Sequence, residues 1–284
     1  MNYLLLILVT LGVSIQQISK KAYNKKTGGG AFTFSAATTL IALLFFILTS
    51  KDGLSYPPKL LWYSVSFAIC FCLALVFSFL SIATGSLSLT SLFTQYSLLI
   101  PTVFGLIFLK EPASKFLLVG ILLLLVSVVF VNLENKGEKK QITLKWIVFV
   151  FLAFVGNGFC STIQKVQQIE FGGLYKNQLM IVALSIVTIS LLVIALFTER
   201  KNMVHDLKKG SGLYLISGLA NGLVNFLVLV LSSKMPASVM FPVISAGGIV
   251  ATALVSIFVY KEKLSKYQTL GLILGILSII ALNL

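Results

Sequence analysis

The sequence predicts an all-α integral membrane protein of ten transmembrane helices, arranged as two inverted five-helix repeats. Three observations predict this fold. Hydrophobic residues make up 58% of the 284 residues and charged residues only 11%, long apolar segments recur along the chain, and one polar motif occurs twice. A soluble domain carries roughly 25% charged residues, so water is not the main solvent of this chain. Runs such as residues 117–131 do not alternate apolar with polar residues, which argues against a β-barrel.

The apolar segments have the length that a helix needs to cross the membrane, about 20 residues for roughly 30 Å of hydrocarbon. The first segment begins Met1-Asn2-Tyr3 with no basic region, and no cleavage motif follows it. We therefore expect a transmembrane helix there rather than a signal peptide. The ten predicted spans are residues 2–19, 31–50, 60–83, 88–109, 114–133, 144–164, 176–198, 211–232, 236–260 and 267–283.

Lys and Arg number 22 against 8 Asp and Glu, which leaves a net charge of +14. The basic residues are spread over the links between spans rather than gathered on one soluble face, so we expect no nucleic-acid partner. Links on one side of the membrane carry 15 of the 22. The positive-inside rule places that side in the cytoplasm and both termini outside the cell. The sequence thus predicts a multi-pass protein of the plasma membrane.

A repeat appears when each residue is compared with the one 151 positions later. Residues 110–133 and 261–284 then share nine identities in 24 positions, including Lys110-Glu111 with Lys261-Glu262. We interpret this as a duplication, with a first repeat at residues 1–136 and a second at residues 142–284. Each repeat holds five spans, an odd number, so the second enters the membrane upside down. Inverted repeats of transporters place a binding site near the bilayer midplane.

The same segments carry a family resemblance. Residues 86–133, with Pro101 and the Lys110-Glu111 pair, resemble the EamA-like domain of the drug/metabolite transporter superfamily, and residues 236–284 resemble it more closely. The resemblance extends over nearly the whole chain and implies a ten-helix transporter of small molecules. It also implies a structural role for Glu111, since an acidic residue marks the end of the fourth helix in the family's repeat.

Polar side chains recur at helical spacing inside several spans, where a polar stripe is costly unless it faces a cavity or another helix. The sixth span carries four of them, the eighth carries an asparagine pair, and the first, fourth and ninth add others. The alternative is that Lys20 and Lys165 extend to the headgroups while the amides join helices. We predict a substrate site made of Gln16, Gln95, Tyr96, Asn157, Ser161, Gln164, Lys165, Asn221, Asn225 and Ser245.

All eight acidic residues fall in links or at helix ends. A multidrug antiporter needs a carboxylate inside the membrane to pair with a cation and release a proton, so cationic drugs are disfavoured. We predict an exporter of a small neutral, zwitterionic or anionic metabolite, working by alternating access around a midplane cavity. The alternatives are a flippase for lipids or lipid-linked carriers, which needs a lateral opening, and a non-transporting membrane scaffold, which needs no cavity.

The sequence contains none of the residue combinations that we associate with catalysis. The chain has one His and neither a metal-ligand cluster nor a Ser/His/Asp set, so we predict no catalytic residue, no metal and no cofactor. The three cysteines lie inside predicted spans, where a disulfide is not expected. The expected partners are a small-molecule substrate and the lipid bilayer. Gly271 and Gly275 form a small-xxx-small pair that serves either helix packing or a homodimer.

Overall fold

In the computed structural model of the protein, the described residues are 2–50, 56–85, 90, 93–94, 96–111, 115–132, 143–258 and 266–283. Within them all regular secondary structure is helical. The eleven helices are α1 (Asn2–Thr27), α2 (Ala31–Thr49), α3 (Pro58–Thr84), α4 (Leu99–Ile107), α5 (Leu117–Asn132), α6 (Leu144–Glu170), α7 (Lys176–Thr198), α8 (Arg200–Lys209), α9 (Ser211–Ser232), α10 (Ala237–Phe258) and α11 (Lys266–Asn283).

Six of these helices are long and apolar enough to cross a membrane, namely α1, α2, α3, α6, α7 and α9. Their outer surfaces carry large apolar side chains: Phe197 is 86% exposed, Leu48 83% and Trp62 77%. A soluble protein does not expose a continuous apolar surface of this kind, whereas lipid tails cover it at no cost. The chain is therefore a multi-pass membrane protein. The count of ten spans stays a prediction.

Local signals explain where several helices begin. Pro58 occupies the first turn of α3, where its missing N–H costs no hydrogen bond. Thr143 caps α6 by accepting a hydrogen bond from the backbone N–H of Trp146. Gly30, just before α2, has a φ of 78°, a left-handed conformation that favours glycine. The link between α7 and α9 is the polar helix α8 rather than an irregular loop.

The helices pack in pairs that join the two halves of the chain: α1 with α9, α3 with α6, α2 with α7, α4 with α10 and α5 with α11. Glycines permit some of the closest approaches. A Cβ on Gly156 of α6 would lie 2.6 Å from the carbonyl oxygen of Cys70 in α3. In α11, the carbonyl oxygen of Gly271 accepts a hydrogen bond from Ser127 of α5, and Gly275 also faces Ser127. These two glycines thus pack within the chain, and the homodimer stays a prediction.

The bundle has two ends, which we name after two buried lysines. At the Lys20 end, Gly210 packs on Tyr23, so α9 begins there. At the Lys165 end, the backbone carbonyl of Ser232 accepts a hydrogen bond from Lys165, so α9 finishes there. The 22 residues of α9 rise by about 33 Å at 1.5 Å per residue, which is the thickness of the hydrocarbon core. The two lysines therefore lie toward opposite faces of the membrane.

Candidate functional site

A cavity of about 130 Å³ lies between α1, α3, α6, α9 and α10. Asn221 and Asn225, in the middle of α9, belong to its wall, which puts the cavity halfway through the bundle. At about 30 Å³ per molecule in the liquid, this volume corresponds to about four water molecules. The polar groups of the wall come from Gln16, Gln17, Lys20, Ser78, Thr94, Asn157, Cys160, Ser161, Gln164, Asn221 and Asn225.

Four amide side chains form one hydrogen-bonded chain along this wall. Gln164 of α6 donates to the Oδ1 of Asn225 at 2.9 Å, and Asn225 donates to the Oδ1 of Asn221 at 3.2 Å. Asn221 in turn donates to the Oε1 of Gln16 in α1 at 2.9 Å. The chain connects three helices from both halves of the sequence. Each amide keeps further donor or acceptor capacity that a bound molecule can use.

A second polar group lies on the α6 side of the cavity. The Nδ2 of Asn157 donates to the hydroxyl of Ser97 at 2.6 Å, which connects α6 with the segment before α4. The hydroxyl of Ser161 donates to the carbonyl of Asn157 one turn earlier. Because these residues are four positions apart on one helix, their side chains share the face that borders the cavity.

Lys20 lines the cavity at the end that bears its name. Its side chain is buried, with 7% of the residue exposed. The ammonium group donates to the hydroxyl of Ser78 at 3.3 Å, a long hydrogen bond. None of the described carboxylates forms an ion pair with it.

Lys165 lies outside the cavity wall, beyond its opposite end. Its ammonium group is 3.0 Å from the Oε1 of Glu111, and the side chains are 5% and 10% exposed. It also donates to the carbonyls of Ser232 at 3.1 Å and Met235 at 2.6 Å. The Oε2 of Glu111 accepts from the backbone N–H of Ser238 at 3.2 Å. This cluster, which we call the Lys165–Glu111 bridge, joins α6, the end of α4 and the α9–α10 turn.

The predicted site residues divide into three groups. Six of them line the cavity: Gln16, Asn157, Ser161, Gln164, Asn221 and Asn225. Three others lie elsewhere, since Lys165 is in the bridge, the Tyr96 hydroxyl donates to the carbonyl of Leu125, and Ser245 is buried in α10 outside the lining. Gln95 lies outside the described residues. Substrate binding by any of these residues stays a prediction.

The cavity also contains residues that the predicted site omitted. Gln17 and Lys20 continue the polar face of α1 at a spacing of three, a signal that the sequence does contain. Thr94 is three residues before Ser97 on the predicted fourth span, which is also a helical spacing. Ser78 had no such signal, because one hydroxyl in an apolar helix more often bonds its own backbone. Glu111 was expected to have a structural role at a helix end, but its partner was not predicted. The structure pairs it with Lys165 in the buried bridge, and this partner is distant in sequence.

In the described part of the chain, no cluster of His, Cys, Asp and Glu side chains is able to hold a metal ion. The three cysteines are free thiols. Cys160 borders the cavity and donates weakly to the carbonyl of Phe67. The polar groups of the described cavity wall are therefore amides, hydroxyls, one thiol and one ammonium group, all of which are able to contact a bound molecule.

Comparison with known proteins gives a family and a fold. Residues 144–284 match the EamA-like transporter family. A solved structure described only as the crystal structure of a protein superposes with a TM-score of 0.75, at 12% identity, over 97% of this chain and 94% of that chain. At this identity the likeness shows the fold alone. None of the curated proteins matches the chain.

Proposed function

Because the chain belongs, through residues 144–284, to the EamA-like transporter family, we propose that it exports a small neutral, zwitterionic or anionic metabolite by alternating access around the central cavity. The observation that carries this proposal is the amide chain of Gln16, Asn221, Asn225 and Gln164, which lines a cavity halfway through the bundle. Polar groups inside a membrane protein mark substrate pathways when they face a cavity. A cavity of about 130 Å³ suits a small metabolite.

Two reciprocal hydrogen bonds support the proposal of inverted repeats at residues 1–136 and 142–284. Ser127 of α5 donates to the carbonyl of Gly271 in α11 at 2.6 Å, and Ser278 of α11 donates to that of Gly120 in α5 at 2.8 Å. The offset of 151 converts Ser127 into Ser278 and Gly120 into Gly271. One bond thus becomes the other when the halves are exchanged, as a two-fold axis between them requires.

The most extensive contacts between helices are also related by the exchange of the two halves. If α1, α2 and α3 correspond to α6, α7 and α9, the contact of α1 with α9 becomes that of α6 with α3. The contact of α2 with α9 likewise becomes that of α7 with α3, and all four occur. Such a pairing supports ten spans in two halves, because the short or partly described helices α4, α5, α10 and α11 then supply the remaining two spans of each half.

The Lys165–Glu111 bridge supplies a gate for alternating access. Its ion pair and three backbone hydrogen bonds tie together the helix ends above the cavity at the Lys165 end. Opening that end separates these partners, so the bridge stabilises the closed conformation. By charge count the Lys20 end faces the cytoplasm, since the α1–α2 link and α8 are basic. A cargo then enters beside Lys20 and leaves after the bridge opens.

The test is uptake or release of radiolabelled metabolites by proteoliposomes that contain the purified protein. Ser161→Trp fills the cavity and is expected to abolish transport of any metabolite that the wild type carries. Phe159→Trp is the matched control, because Phe159 lies on the same helix with 47% exposure and does not line the cavity. Equal transport by the two variants contradicts a route through the cavity.

The same vesicles distinguish the alternatives. A fluorescent phospholipid placed in one leaflet reports flipping, and faster flipping that Ser161→Trp abolishes favours a flippase. A protein that moves neither the metabolites nor the lipid is a scaffold. The location of the chain termini is checked with an N-terminal epitope tag on intact cells, where labelling without permeabilisation is the expected result.

A further inference from the structure

Lys20 is the one charged side chain in the described cavity wall. Only 7% of the residue is exposed to the surroundings of the protein, and the only hydrogen bond of its ammonium group among the described residues is to the hydroxyl of Ser78 at 3.3 Å. Burying an ammonium ion is unfavourable unless an opposite charge and hydrogen-bond acceptors replace the lost water. A single hydroxyl supplies no charge, so the described residues leave this ammonium group without a counter-charge.

Two carboxylates lie at the same end of the bundle, but both serve other groups. Glu199 accepts hydrogen bonds from the backbone N–H groups of Phe32 and Thr33 and from the Thr33 hydroxyl, which caps the N-terminus of α2. Asp206 is bonded to His205. The other two described carboxylates are those of Glu111, in the bridge, and of Glu170, which pairs with Lys59.

We infer that Lys20 binds an anionic group of the cargo, a carboxylate or a phosphate. This inference rests on the proposed function, because it takes the central cavity as the cargo site, and it narrows the cargo to molecules that carry at least one negative charge. The ammonium group forms charge-assisted hydrogen bonds with such oxygens, which are roughly twice as strong as neutral ones. A bound anion thereby supplies the counter-charge that Lys20 lacks among the described residues.

Gln17 extends this site by a second feature. It lines the cavity three residues before Lys20, on the same helix face, and its buried Oε1 has no hydrogen-bond partner among the described residues. An unsatisfied buried amide oxygen is costly. A donor on the cargo, such as an ammonium or hydroxyl group close to its anionic group, satisfies that oxygen. The class of cargo is therefore a small amino acid, hydroxy acid or phosphorylated hydroxy compound.

The first experiment measures the thermal stability of the ligand-free protein in neutral detergent. Lys20→Met is expected to raise the unfolding temperature, because it removes an uncompensated charge from a buried site. Lys25→Met, on the exposed surface of the same helix, is expected to change nothing. If Lys20→Met instead lowers the unfolding temperature, Lys20 has a structural role and the inference is overturned.

The second experiment adds the sodium salts of alanine, lactate and phosphate as probes, with sodium chloride at equal ionic strength as the reference. At least one probe is expected to raise the unfolding temperature of the wild type above the chloride reference. Lys20→Met is expected to weaken the apparent affinity for that probe by about tenfold to a hundredfold, the loss typical of one charge-assisted bond. Lys20→Arg retains the charge and is expected to keep part of the affinity.

A lipid headgroup offers the same phosphate chemistry, so a further arm adds phosphatidylglycerol or phosphatidylcholine to the micelles. Lys20-dependent stabilisation by phosphatidylglycerol, with none by the soluble salts, identifies a lipid as the occupant and overturns the inference of a soluble cargo. Equal stabilisation of wild type and Lys20→Met by every probe overturns it also, as does the absence of stabilisation beyond chloride.

These outcomes are independent of the transport assay. If anions bind through Lys20 but no metabolite crosses the proteoliposome membrane, the inference stands and the proposed function fails. If neutral metabolites are transported and Lys20→Met leaves their flux unchanged, the proposed function stands and the inference fails.

Discussion

The two ends of the cavity present the same residue type in opposite electrostatic situations. Lys165 and Lys20 are both buried lysines on helices that line the cavity. Lys165 has one carboxylate within 3.0 Å and two backbone carbonyls within 3.1 Å. Lys20 has a single hydroxyl at 3.3 Å. Among the described residues, the buried lysine that joins helices therefore has a carboxylate partner, and the buried lysine in the cavity wall has none.

The difference in partners distinguishes a lysine that joins helices, Lys165, from a lysine that we infer to bind a ligand, Lys20. A buried ion pair holds its partners strongly because breaking it leaves a charge without compensation. An unpaired buried charge raises the free energy of the ligand-free protein. A ligand that pairs with this charge removes the penalty and therefore binds more tightly. At the Lys20 end, the carboxylate of Glu199 caps α2 by accepting hydrogen bonds from Phe32 and Thr33, and it forms no ion pair with Lys20.

The largest effect is expected for Lys165→Met, which leaves Glu111 buried without its cation. We expect the free energy of unfolding to fall by about 3–5 kcal/mol, measured by titrating SDS into mixed micelles. The double variant Lys165→Met/Glu111→Met is expected to recover most of that loss, since no charge then remains. A loss below about 1 kcal/mol for the single variant contradicts the assignment of the bridge as a strong tie.

Ser78, the partner of Lys20, is on α3, and Lys165 is on α6. Gly156→Ala tests how closely these two helices must pack. The added methyl group would lie 2.6 Å from the carbonyl oxygen of Cys70 and 2.7 Å from the backbone nitrogen of Ala74, so the helices must separate. We expect a loss of about 1–3 kcal/mol in the same titration. Gly212→Ala is the control, because its Cβ meets no atom within 4 Å and alanine favours a helix by about 1 kcal/mol.

Glu199→Gln tests the carboxylate that caps α2 at the Lys20 end. The amide retains one acceptor but loses the charge that strengthens the bonds to Phe32 and Thr33, so we expect a loss of about 1–2 kcal/mol. Thr33→Val removes only the hydroxyl bond and should cost less. If Glu199→Gln is neutral while it alters anion binding, Glu199 interacts with Lys20 and the contrast between the two ends is weaker than described.

The smallest effect is expected for Asn225→Leu, in the amide chain between the two ends. Hydrogen bonds between membrane helices are worth about 0.6 kcal/mol on average, so the free energy of unfolding should fall by no more than about 1 kcal/mol. Transport is expected to fall far more, because the cavity loses a polar group. A large loss of stability with unchanged transport would assign the amides to helix packing, the alternative considered for them.

The membrane class and the family followed from sequence, because apolar length and a repeated motif are local properties of the chain. The amide wall was also predictable in part. Asn157, Ser161 and Gln164 share a helix face at spacings of three to four, and so do Asn221 and Asn225. These five and Gln16 are the six of the ten predicted site residues that line the cavity.

Tertiary structure alone decided the roles of the two lysines. Lys165 directly follows Gln164 in sequence, yet the turn of about 100° per residue directs it away from the cavity toward Glu111, which lies 54 positions earlier. Periodicity reports which residues share a face of one helix. It does not report which distant carboxylate meets that face, because such a contact depends on how separate helices pack. Among the described residues, Lys20 has no carboxylate partner, because the two acids at its end of the bundle, Glu199 and Asp206, bind other groups.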